Sequence, residues 1–151
     1  FETFPIPDLS GALPGTIASL AAAIDAHRLR QRVRAPSLTL TGMYNVLERL
    51  RQGSALSAKD REIYTRGLVA PLRELHDELD RAVFAAYGWN DLADKLVGRP
   101  GATTPWPEKP PEQAEAEEEL LTRLVALNAE RAAEEKRGLL GSLRSFMKKD
   151  G

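Results

Sequence analysis

Cysteine is absent from the 151 residues, and that single omission excludes disulfides, thiolate metal sites and thiol nucleophiles together. It fits a reducing cytoplasm, the compartment expected for this chain. Histidine is nearly as scarce, with only His27 and His76 to serve metal or acid–base chemistry. Neither belongs to a His-x-x-x-His or Glu-x-x-His pair, and Asp77, Glu78 and Asp80 read as ordinary exposed helix charges, so both imidazoles read as structural. Also missing are an apolar run near the roughly 20 residues that cross a bilayer, a charged-then-apolar leader and a Gly-rich phosphate loop ahead of a helix. No serine sits in a Gly-x-Ser-x-Gly setting. The residues therefore assign no catalytic centre and no metal site. With 21 basic against 22 acidic residues, no global field attracts nucleic acid, and any electrostatic partner must be recruited by local clustering.

What the chain does have is helical periodicity. The opening Phe1-Glu2-Thr3-Phe4-Pro5-Ile6-Pro7 is apolar and proline-rich, which predicts an extended strap over residues 1–13, because each proline lacks an N–H and biases its predecessor toward extended backbone. From Thr16, Ile17, Leu20, Ala21 and Ile24 recur at helical spacing, and a first helix is expected to run to Arg34, stopped by Pro36. Thr41 is a plausible N-cap for a second helix carrying Met43, Tyr44, Leu47 and Leu50 on one face, with Gly53 at its left-handed end. Ser57 and Asp60 form a capping-box variant that opens a third.

The strongest signal is Leu68, Leu72, Leu75, Leu79, Ala82, Val83, Ala86 and Tyr87, kept at i, i+3, i+4, i+7 spacing and ended by Gly88. Pro71 falls inside it, so a kink or a fresh helix start is expected there. Asn90 to Val97 adds a short helix, and residues 98–111 form a proline-rich loop around Trp106. After a glutamate-rich lead-in, Leu120, Leu121, Leu124, Leu127 and Asn128 mark a last helix expected to close at Gly138. The architecture expected is all-α, a four- or five-helix array over residues 14–138, with a frayed or short helical tail over 139–151.

The one marked charge cluster is Arg28, Arg30, Arg32 and Arg34 beside His27, joined by Arg49 and Arg51 one helix later. Each guanidinium is suited to neutralise a backbone phosphate, which fixes position without reading sequence. Alternate arginines on a helix point in several directions, so at most two or three reach one strand. The plainer alternative is a solvated face paired with the acidic helices. Tyr87-Gly88-Trp89 has the aromatic faces to stack a base, although aromatics at a helix end more often clamp the following chain.

Four stretches occur in order: Phe1-Glu2-Thr3-Phe4-Pro5-Ile6-Pro7, Leu38-Thr39-Leu40-Thr41-Gly42-Met43-Tyr44-Asn45, Leu79-Asp80-Arg81-Ala82-Val83-Phe84-Ala85-Ala86-Tyr87-Gly88-Trp89, and Leu124-Val125-Ala126-Leu127-Asn128-Ala129-Glu130-Arg131. Together they make the chain resemble the C-terminal helical region of large single-chain type II restriction-modification DNA adenine methyltransferases and related phage-defence methyltransferases. The resemblance implies a parent enzyme that transfers a methyl group from S-adenosylmethionine to adenine N6 after rotating the base out of the duplex. The Asn-Pro-Pro-Tyr-type motif that holds the adenine in such enzymes is absent here, so the resemblance implies a non-catalytic module that holds no cofactor itself. Its partners would be double-stranded DNA and the methyltransferase and target-recognition domains of one polypeptide, with residues 1–13 as the end of the recognition region. Thr41, Tyr44 and Asn45 fall in the best-matched stretch and are nominated as DNA-facing or inter-domain contacts. A different reading of the same residues is a protein–protein interaction or oligomerisation module, using an apolar stripe left over on the last helix between Leu120 and Leu127.

Overall fold

The computed structural model describes residues 11, 13–101 and 106–149, all of which are helix, turn or loop with no strand among them. The expected strap lies outside the described residues apart from Gly11 and Leu13, and so do residues 102–105 of the proline-rich loop. Among the described residues six helices follow one another: α1 (Leu13–Arg34), α2 (Leu40–Gln52), α3 (Ala58–Gly67), α4 (Val69–Tyr87), α5 (Asn90–Leu96) and α6 (Pro111–Lys149). The all-α class is as expected, with six helices rather than four or five. Two compact units divide at Ala116 and Glu117, a helical bundle before and the remaining length of α6 after.

Local chemistry explains most boundaries. Helix α1 starts at Leu13 rather than Thr16, because Pro14 occupies the first turn, where its missing N–H has no intrahelical acceptor to lose. The N-cap of α2 is Thr39, not Thr41: the Thr39 hydroxyl accepts the Gly42 N–H at 3.0 Å, and Thr41 already lies within the helix. Gly53 closes α2 in the left-handed conformation, with φ +69°. The capping box at Ser57 and Asp60 forms in both directions, at 3.1 and 3.0 Å. Gly88, at φ +76°, ends α4. Gly138 does not end α6, which continues through it and through Gly141 to Lys149. Neither glycine takes a positive φ, so the hydrogen-bond ladder is not diverted there.

A core of Ile24, Leu38, Met43, Val46, Leu47, Val69 and Leu72 is drawn from α1, the α1–α2 connection, α2 and α4. Helix α1 packs most extensively on α4, and α2 and α3 fill the corner between them. That corner depends on Gly67 and Leu68. A Cβ on Gly67 would meet the Met43 Cγ at 3.2 Å, so any larger residue would require the Met43 side chain to shift by a few tenths of an ångström. Leu68 then turns the chain with φ +46° and ψ +56°, the only positive φ outside glycine among the described residues. Pro71 follows in the first turn of α4, where it is tolerated, so the sequence signal around it marks a fresh helix start.

Two substitutions test this account by urea denaturation. Leu72→Ala empties a fully buried site and should cost about 2–5 kcal/mol. Leu68→Gly should stabilise by about 1 kcal/mol, since left-handed backbone costs an ordinary side chain about 1–2 kcal/mol; a less stable variant would show that the Leu68 side chain matters more than its strain.

Candidate functional site

The six nominated arginines separate into two groups. Arg28, on α1, forms an ion pair with Asp25 and also donates to the Tyr44 hydroxyl at 3.3 Å. Arg49 pairs with Asp60, the same carboxylate that completes the α3 capping box. The Ser57 N–H first, and Arg49 with it, hold the Asp60 carboxyl below its usual pKa. Arg51 is the deepest, with a side chain only 10% exposed and bonded to Asp77 of α4 at 2.9 Å. These three tie the bundle together. Arg30, Arg32 and Arg34 are exposed on the C-terminal half of α1 and have no carboxylate partner among the described residues. Arg30 and Arg34, four residues apart, share a side of the helix, whereas Arg32 points away from them. Arg32 and Arg34 also lie in the last turn, where a cation complements the negative end of the helix dipole.

Thr41 and Asn45 are exposed on α2 and, at i and i+4, align with exposed Arg49 at i+8. Tyr44 faces the other way. Its hydroxyl accepts from Arg28 and donates to the His76 Nε2 at 2.6 Å, and the two rings meet edge to face with centroids 5.2 Å apart. Burial first, then the charges of Arg51 and Arg28, push the His76 pKa below its ordinary value, which keeps the ring neutral and able to accept. Tyr44, Leu47, Glu48, Arg51, His76 and Asp80 line a cavity of about 150 Å³. Burial raises the Asp80 pKa. A tyrosine, a histidine and an acid around one cavity have the elements of an acid–base site, but ligand pockets are typically about 300–1,000 Å³. This one is about half the volume of the smallest typical pocket.

Sequence reasoning places Asp77, Glu78 and Asp80 together on an exposed face. Asp77 instead accepts Arg51 and lies against Gly98, where a Cβ would meet its carboxylate at 3.5 Å. Glu48, which carries no sequence signal at all, is buried on α2 and accepts the Gly101 N–H at 2.6 Å. Gln113 of α6 donates to the Pro100 carbonyl at 2.8 Å, so the start of the proline-rich loop is held by two buried side chains. His27 is buried and donates through Nε2 to the Gly67 carbonyl at 2.9 Å. Tyr87 and Trp89 stack on each other across Gly88, centroids 4.6 Å apart and planes within 14°. Each therefore gives one ring face to the other rather than to a base. Among the described residues, no group of three or more His, Asp or Glu side chains is placed to hold a metal ion, and no helix is long and apolar enough to cross a membrane.

No protein-family model, curated protein or solved structure matches the chain.

The His76 environment makes stability depend on pH. The folded pKa lies below the ordinary 6.5, so the unfolded chain takes up the proton first. Its contribution is complete above about pH 6.5 and falls as pH drops below that, levelling once the folded ring also titrates. Asp80 acts in the opposite sense at lower pH: its raised pKa means the folded state binds the proton first, so acidification favours folding there. Chemical denaturation from pH 8 to 5 should show the decline in the parent chain and lose it in His76→Gln. An unchanged profile would remove His76 as its source.

Proposed function

We propose that the chain is a non-catalytic helical module of an S-adenosylmethionine-dependent DNA adenine-N6 methyltransferase of the restriction-modification or phage-defence kind, contributing sequence-independent contacts to the DNA backbone. The ordered resemblance of four stretches supports the family. The DNA contact rests on one observation, the exposed guanidiniums of Arg30, Arg32 and Arg34, which no carboxylate among the described residues engages. The exposed Thr41 and Asn45 on α2 add hydroxyl and amide donors of the kinds that bind phosphate oxygens. Arg28, Arg49 and Arg51, engaged with Asp25, Asp60 and Asp77, belong in this reading to the bundle rather than to the contact surface. Methyl transfer, cofactor binding and base readout fall to other domains of the parent polypeptide.

The test is fluorescence anisotropy with a labelled duplex at several salt concentrations. Replacing Arg30, Arg32 and Arg34 together by alanine should weaken binding equally for unrelated sequences. It should also reduce the slope of log K against log salt by about 0.9 for each phosphate that is no longer neutralised. An unchanged titration with an intact helical spectrum overturns the DNA-contact assignment. Arg51→Ala, in contrast, should lower the unfolding midpoint.

A further inference from the structure

Helix α6 carries an exposed apolar stripe. Residues 18 apart are separated by five turns of about 3.6 residues, so Val125 and Leu143 lie on one line along the helix. They are 69% and 51% exposed. Leu121, Ala129, Ala132, Leu139, Leu140, Phe146 and Met147 fall within about 60° of that line at 100° per residue, and all are exposed as well; Lys136 interrupts them between Ala132 and Leu139. The stripe runs for about 40 Å at ~1.5 Å per residue, well beyond the Leu120 to Leu127 segment visible from the first periodic signal. Monomers seldom leave so long an apolar surface open. Gly138 and Gly141 lie away from the stripe and weaken the helix by about 1 kcal/mol each relative to alanine.

Two further properties identify the occupant. Glutamates dominate the charges from Glu112 to Glu135, whereas every charge from Lys136 to Lys149 is positive. Reversing the helix about the level of Glu134 places Leu121 opposite Met147, Val125 opposite Leu143, and Ala129 opposite Leu139, while Ala132, Leu140 and Phe146 fall opposite Lys136, Asn128 and Thr122. We infer that α6 pairs with α6 of a second copy of this chain in an antiparallel, two-fold arrangement, each acidic half against the other's basic half. A parallel pair would set like charges side by side. An anionic lipid surface would attract the basic half but repel the glutamates beside Leu121 and Val125. Self-complementarity is what a two-fold interface requires, and the inference stands whether or not the chain binds DNA.

The chain has no native thiol, so engineered cysteines report without interference. Sedimentation equilibrium should show a dimer that weakens with salt. Val125→Lys with Leu143→Lys should raise its dissociation constant more than about tenfold, since each branched side chain buried is worth roughly that factor. Circular dichroism of the variant should still show the α1–α5 bundle. On oxidation, a mixture of Val125→Cys and Leu143→Cys proteins should cross-link between the two variants, and neither variant with itself. A strict monomer at all concentrations, or self-linking of Val125→Cys, overturns the proposal. So does a monomer that floats with phosphatidylglycerol vesicles, which would assign the stripe to a lipid surface.

Discussion

The chain reversal between α3 and α4 is made by Gly67 and Leu68, and the positions of the other bundle helices follow from how it is made. Gly67 lets the backbone approach Met43 closely enough to join α2 to the corner. Leu68 accepts a strained left-handed backbone, and the strain is offset where α4 immediately buries Val69 and Leu72. The Gly67 carbonyl, which the turn leaves pointing inward, is satisfied by His27 from α1, forty residues earlier. That buried hydrogen bond ties α1 to the turn between α3 and α4. An imidazole suits that position because it reaches an interior acceptor while keeping an apolar body against the core.

Charge is divided by the same packing. Where α1, α2 and α4 meet, arginines and carboxylates neutralise one another, with Arg28, Tyr44 and His76 forming a chain of donors from a fixed cation to a neutral ring. A cation at one end of such a chain favours the neutral histidine at the other, and the neutral histidine in turn accepts the phenol proton. The cluster is stable only as a unit. Beyond this region, α1 projects three arginines that no carboxylate among the described residues reaches. Surface charge here is what remains after the interior has taken its share, which is why a near-zero net charge says little about what the surface offers.

Much of the fold is legible in the sequence because it is written in local chemistry. The Gly53 and Gly88 helix ends, the Ser57–Asp60 capping box and the fresh start near Pro71 all depend on residues within one turn of the feature. Sequence and structure part where two local signals compete. Thr41 is the cap expected from the sequence, and only backbone geometry shows that Thr39 is extended and Thr41 helical. Gly138 is a good stop signal, yet it is overridden inside a helix with strong formers on both sides. The polar cluster is far less legible. Tyr44 and His76 are separated by 32 residues, Glu48 and Gly101 by 53, and no periodicity records which polar side chains will be turned inward together. Two of the six arginines escape sequence reasoning for the same reason, since the carboxylates that engage Arg49 and Arg51 come from other helices.

Helix α2 shows what this division makes possible. Met43, Val46 and Leu47 face inward and are buried, while Thr41 and Asn45 make no core contact. The inner row fixes where the helix sits, and the outer row is presented by it without helping to hold it. Descendants of this chain are thus free to rewrite the outer letters, and meet a new surface, without renegotiating the packing underneath.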